Sequence, residues 1–187
     1  GHVGVLKQVL TGIGLSDSAE SGEPPLASAM RFLDKADFDG LRALLESQSI
    51  STDFVAPLQQ LSELKGGQET IASARELLST MDGVSLDALD DLESTINSIG
   101  QLAPEPPSLS VNLTVARGLD YYTGTVFEVH VPELGGEGQV LGGGSYKLLH
   151  LFGLADLDPC CGFGLGFDRV LLALEAQAAA EANCRGQ

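Results

Sequence analysis

The stretch Arg117-Gly-Leu-Asp-Tyr-Tyr-Thr-Gly-Thr-Val-Phe-Glu128 decides how this chain is read. From Thr125 to Val131 β-branched and aromatic residues alternate with the others, which is the pattern of a half-buried strand. Upstream, Leu109 to Val115 alternates apolar and polar positions and reads as a second strand. Between the two lie an arginine, an aspartate, two tyrosines and two glycines, a set that a plain turn does not need. Arginine offers a planar fork of donors for phosphate or carboxylate, and paired tyrosines offer aromatic walls that carry hydroxyls. On this chemistry a ligand site and a tyrosine-rich structural hairpin both fit.

Working outward toward the C-terminus, Gln139 to Gly144 reads as a third strand. Pro159 to Leu165 reads as a short fourth strand leading into a helix from about Phe167 to Ala180. Gly135-Gly136-Glu137-Gly138 reads as a hairpin loop, because no helix start follows it to make a phosphate cradle. Strands joined by short loops, with one late helix, predict an antiparallel sheet and an α+β class. Toward the N-terminus the pattern becomes helical. Val5, Leu6, Val9 and Leu10 recur at helical spacing up to Gly12, and Ser16 to Pro25 is a loop rich in breakers. Helices are predicted from Ala27 to Leu33, from a cap at Asp37 through Leu45, from Ser51 through Leu64 to Gly66, from Glu69 to Met81 and from Leu86 to Ile99. The segment Pro104-Glu-Pro-Pro-Ser108 separates the two compositions, since proline continues neither helix nor ladder. Two domains are expected, residues 1–107 and 108–187.

The chain has 187 residues, 43% of them hydrophobic, enough for an ordinary buried core. No apolar run reaches the roughly 20 residues that span a bilayer. The three cysteines form neither a disulfide framework nor a metal-ligand spacing, and no metal site is expected. With 10 basic and 26 acidic side chains the net charge is -16, which by itself argues against a polyanionic partner. The acidic run Asp87, Asp90, Asp91 and Glu93 lacks the glycine and ligand spacing of a calcium loop and reads as a solvated helix face. Gly1 and His2 read as a possible tag remnant, so His2 receives no role. His130 and His150 read as surface or structural residues.

Arg117 to Glu128 closely resembles the histidine-binding signature of histidyl-tRNA synthetases, written RGLDYYTGTVFE in that family. Two later segments follow in the family's order. Gly142-Gly143-Gly144-Ser145-Tyr146-Lys147 resembles its GGGRYD strand and turn, and Gly162 to Arg169 resembles motif 3 of class II synthetases. Phe32 to Asp37 is similar to the LDKLDK stretch of the family's inserted helical domain, so the resemblance covers nearly the whole chain. It implies that residues 1–107 are that inserted domain and that 108–187 are the C-terminal half of the catalytic domain. The implied reaction joins histidine and ATP, with magnesium accompanying the nucleotide, into histidyl-adenylate and then charges tRNA(His), in the cytoplasm.

Carried over residue by residue, the resemblance makes Arg117 the catalytic residue, on the ATP α-phosphate and the histidine carboxylate. Tyr121 and Tyr122 would shape the histidine pocket, with the Tyr122 hydroxyl toward the imidazole. Gly142, Gly143 and Gly144 would let histidine lie against bare backbone. Gly164 and Gly166 would make room for ATP, and Arg169 would cover it. Asp120 is read as fixing its turn, Tyr146 as core or pocket, and Glu128 as a partner of Arg117 or a solvent-facing residue.

The departures are specific. Ser145 stands where the family has arginine and Lys147 where it has aspartate. Motif 1, which makes the family's homodimer, and the arginine of motif 2 have no counterpart here, nor does the anticodon-binding domain. The expectation is therefore a fragment or truncated product, inactive or nearly so by itself. Two other readings stay open. One is a non-catalytic paralogue such as a regulatory subunit of ATP phosphoribosyltransferase, a class that usually loses parts of the RGLDYY signature and the inserted domain. The other is a free-standing histidine-binding module.

Overall fold

A computed structural model describes residues 1–18, 22–103, 108–114 and 121–185. It divides into two compact units, Gly1–Thr125 and Val126–Gln187. The first unit is mainly helical. In chain order it contains α1 (Val3–Gly12), α2 (Pro25–Asp34), α3 (Phe38–Ser47), α4 (Val55–Glu63), the two-residue strand β1 (Lys65–Gly66), α5 (Glu69–Leu78), α6 (Asp87–Leu102) and β2 (Val111–Asn112).

Local chemistry sets these ends. The Asp37 carboxylate accepts from the Gly40 amide at 2.8 Å, satisfying one of the free donors at the start of α3. Pro25 and Pro57 both fall in the first turns of their helices, where a missing N–H is tolerated. One apolar stripe per helix meets in the middle: Val9, Leu10, Leu41, Leu45, Leu58, Leu61, Ile71 and Leu89 are all at most 1% exposed. Each such side chain contributes roughly 1.5–3 kcal/mol of transfer free energy. Two carboxylates on the acidic face of α6 are ion-paired. Arg75 holds Asp90 at 2.7 Å and Glu93 at 2.6 Å, and the two hydrogen bonds push its already high pKa higher.

Three details depart from the sequence reading. Of the strand expected over Leu109 to Val115, the described residues 109–114 form a ladder only at Val111–Asn112, paired antiparallel with β1 through Lys65↔Asn112 and Gly66↔Val111. Val111 and Leu113 are buried in the helical core, so the first unit runs past the proline-rich segment on which the sequence division rested. Residues 104–107 of that segment lie outside the described residues. The helix expected through Leu64 to Gly66 stops at Glu63, because Lys65 and Gly66 are taken into the β1–β2 pair.

His2, set aside in the sequence reading, is a structural residue. It is 7% exposed, caps α1 by accepting from the Gly4 amide at Nδ1 (2.9 Å), and its Nε2 lies 3.0 Å from the Asp91 carboxylate on α6. Its backbone bridges Thr125. Because Nδ1 accepts, the proton sits on Nε2 and is donated to Asp91. Burial holds the imidazole pKa below the usual value against the opposing pull of Asp91.

The second unit is built on one antiparallel sheet in the order β3-β4-β5, with β3 at Tyr122–His130, β4 at Gln139–Tyr146 and β5 at Cys160–Leu165, followed by α7 (Phe167–Arg185). The division between units falls inside β3. These elements confirm the predicted α+β class. Among the described residues apolar burial here is thin: Val126, Val140 and Ala173 are buried, while Phe163 is 67% and Phe167 68% exposed. The glycine-rich loop is a short 3-10 turn, Pro132–Glu137, with Gly135 at φ 62°.

Candidate functional site

The register of β4 on β5 sorts the glycines. Leu141 faces Leu165, Gly142 faces Gly164, Gly143 faces Phe163 and Gly144 faces Gly162. Side chains alternate along a strand, so Gly142, Gly144, Gly162 and Gly164 share one face and Gly143 lies on the other, with Leu141, Phe163 and Leu165. The first face is a patch of bare backbone. The Tyr146 ring closes one end of it, its hydroxyl 3.0 Å from where a Cβ on Gly162 would stand. A Cβ on Gly164 would meet nothing within 4 Å, so that end of the patch is open.

Gly143 does something else. A Cβ there would collide with the Gly162 carbonyl oxygen and would stand 2.6 Å from the Phe163 Cβ. The two backbones pass too closely for any side chain, so this glycine is required by strand packing. The three consecutive glycines predicted to serve histidine therefore divide: Gly142 and Gly144 offer backbone to the patch, and Gly143 holds β4 against β5.

Arg169 stands in the first turn of α7. Its Nη1 donates to the Gln139 carbonyl at the start of β4 at 2.8 Å, and the Gly166 amide donates to the Val140 carbonyl at 2.9 Å. The start of the helix is thus tied to β4, next to the open glycine patch. A Cβ on Gly166 would lie 3.4 Å from the Arg169 Cδ, so this glycine leaves room for the arginine stem.

Tyr121 and Tyr122 stand at the start of β3, in the first unit. Their ring centroids are 4.6 Å apart at an interplanar angle of 47°, and their hydroxyls are 3.5 Å apart. Arg117 and Asp120 lie outside the described residues. On β3, Glu128 takes the His130 Nε2 at 3.0 Å, and His150 Nδ1 stands 3.7 Å from Asp158, so both histidines have carboxylate neighbours. Ser145 and Lys147 sit at the end of β4 and just beyond it, Ser145 opposite Cys161. Among the described residues no cluster of three or more His, Cys, Asp or Glu is placed to hold a metal ion. None of their helices is long and apolar enough to cross a membrane.

Sequence reasoning did not single out Gln139. Its side-chain Nε2 would be 2.7 Å from a Cβ on Gly142, so the carboxamide lies against the glycine patch while its own carbonyl receives Arg169. The Arg169 contact is made only by the fold, and nothing in the sequence distinguishes a glutamine at the start of a strand.

Helices together with an antiparallel sheet give the α+β fold that this chain shares with class II histidyl-tRNA synthetases. The chain belongs to the histidyl-tRNA synthetase family, whose model matches residues 1–170. It is similar to the histidine-tRNA ligase of Archaeoglobus fulgidus, 37% identical over 178 residues that cover 95% of this chain and 39% of that protein. It is likewise 38% identical over 174 residues to the histidine-tRNA ligase of Methanocorpusculum labreanum, covering 93% of this chain and 37% of that one. The chain thus spans less than two-fifths of the length of these curated relatives.

Among solved structures, an ATP phosphoribosyltransferase regulatory subunit/histidyl-tRNA synthetase from Bacillus halodurans C matches with a TM-score of 0.68 and 29% identity, over 94% of this chain and 42% of that one. A histidyl-tRNA synthetase from Nostoc sp. PCC 7120 matches with a TM-score of 0.70 over 95% of this chain and 41% of that one; at 20% identity it supports the fold alone.

Proposed function

We propose that this chain supplies the histidine-binding half and the inserted helical domain of a histidyl-tRNA synthetase, residues 108–187 and 1–107 respectively. The complete protein would activate histidine with ATP and transfer it to tRNA(His). The observation that carries this reading is the unbroken Arg117 to Glu128 signature in a chain 37% identical to a histidine-tRNA ligase over 178 residues.

In this reading Arg117 holds the α-phosphate and the substrate carboxylate, offsetting the charge that develops as the carboxylate attacks phosphorus. Tyr121 and Tyr122 shape the amino-acid pocket, and a ligand lacking the imidazole nitrogens would forgo a hydrogen bond at the Tyr122 hydroxyl. The bare backbone at Gly142 and Gly144 supports the substrate's close approach, Gly143 acting through the strands beneath it. The open space at Gly164, together with Gly166 and Arg169, serves the nucleotide. Arg169 fits that role because its anchor on Gln139 keeps a cation beside the patch. Magnesium would arrive on the ATP phosphates and neutralise part of their charge. The helical domain would lie toward the tRNA, although residues 1–108, with 6 basic and 17 acidic side chains, favour only weak contact with a polyanion. The site of action would be the cytoplasm.

Histidine binding is the part of this reaction that the 187 residues would carry themselves. A second reading, a regulatory subunit of ATP phosphoribosyltransferase, is favoured by the Bacillus halodurans neighbour, whose name carries both functions. Calorimetric titration with histidine, with and without ATP, tests the main reading. Histidine-specific heat abolished by both Arg117→Ala and Tyr122→Phe is the expected result. A chain that takes up no histidine at millimolar concentration refutes it. Pyrophosphate release once an upstream synthetase half is added separates the ligase from the regulatory reading.

A further inference from the structure

We propose that Gln139 is a further substrate-contacting residue of the histidine site, its carboxamide hydrogen-bonding the amino acid that lies on the glycine patch. This rests on the histidine-binding reading above and extends it to a residue that the signature motifs do not include.

Three observations meet at this side chain. Its Nε2 stands 2.7 Å from the position a Cβ on Gly142 would take, so the carboxamide lies directly on the glycine beside which the substrate is placed. Its main-chain carbonyl is held by Arg169 Nη1 at 2.8 Å, which fixes the residue between the glycine patch and the arginine assigned to the nucleotide. The carboxamide itself makes no hydrogen bond to another described residue, and the side chain is half-buried. A carboxamide offers two N–H donors and a carbonyl acceptor. Left unpaired at a partly desolvated position, it gains most from a ligand that supplies both kinds of partner, as the amino and carboxylate groups or the imidazole of histidine do. Glu128 Cγ lies 3.9 Å from the same Gly142 position, but its carboxylate is already engaged by His130 at 3.0 Å, which leaves Gln139 as the free polar group over that glycine.

The test compares histidine binding by calorimetry in the 187-residue chain and in Gln139→Ala, Gln139→Met and Gly142→Ala variants, each checked by thermal unfolding. Removing one hydrogen bond to a charged or polar ligand weakens binding by roughly tenfold. Gln139→Ala should show that loss with an unchanged melting midpoint. Gln139→Met keeps the length and packing over Gly142 and should show the same loss, which separates hydrogen bonding from space filling. Gly142→Ala, whose methyl displaces the flexible carboxamide, should weaken binding comparably. Full affinity in either Gln139 variant overturns the assignment while leaving the histidine site standing. A failure of the unsubstituted chain to bind histidine overturns that underlying reading, and this inference with it.

Discussion

Replacing Gly143 by alanine should unfold the second unit at a markedly lower temperature, although the change adds a single methyl group. The new Cβ would stand 2.6 Å from the Phe163 Cβ and 2.7 Å from its Cα, with the Gly162 carbonyl oxygen closer still. Ordinary contacts begin about 1 Å further out, and the obstacles are backbone and the root of a side chain, not a flexible tip. Relief requires β4 and β5 to splay, which loosens the ladder from Leu141↔Leu165 to Tyr146↔Cys160. Overpacking of this kind costs about 1–3 kcal/mol. For a unit of roughly 60 residues, each kcal/mol lowers the midpoint by about 4–8 °C, so a drop of about 10 °C is expected in differential scanning calorimetry. Hydrogen exchange should quicken at the β4 amides. Gly164→Ala is the control: its methyl meets nothing within 4 Å, and the midpoint should hold while ATP affinity falls as the open patch is narrowed. A Gly143→Ala protein that melts with the unsubstituted chain would refute the account of β4–β5 packing.

Two further perturbations probe the helical unit. Leu41 is fully buried at the centre of its core, and Leu41→Ala should cost about 2–5 kcal/mol in urea unfolding; a loss below about 1 kcal/mol would show that the core collapses to fill the space. His2 ties α1 to Asp91 in its neutral form, with Nδ1 accepting from the Gly4 amide, so protonation opposes folding. Its depressed pKa means that the contribution to stability is complete above the imidazole's unfolded pKa and declines as the pH falls through the folded value. The melting midpoint should therefore fall between pH 7.5 and 5.5 more steeply in the unsubstituted chain than in His2→Asn, and parallel curves would remove His2 from the linkage.

Much of the helical unit was legible because its information is local. The stripe of Val5, Leu6, Val9 and Leu10 needs only a 3.6-residue period to be recognised, and Asp37 needs only the amide three residues ahead of it. The β1–β2 pair was not legible, since two-residue strands carry no periodicity and Lys65 finds Asn112 only across the folded core. The structural role of His2 was not legible for the same reason. Its partners are 2 and 89 residues away, and nothing near it in sequence announces the second.

The candidate site shows the same division. By itself the sequence determined that a histidyl-tRNA synthetase signature is present, in its order Arg117 to Glu128, Gly142 to Gly144 and Gly162 to Arg169, and that strands surround it, because residue types and alternation are written along the chain. Only the tertiary structure decided what each glycine is for. Gly142 and Gly143 are neighbours of identical chemistry, and a strand turns successive residues to opposite faces, so the β5 register alone sends one to the open patch and the other against Phe163. The bond from Arg169 to the Gln139 carbonyl joins residues thirty positions apart, and it too exists only once α7 has folded back against β4.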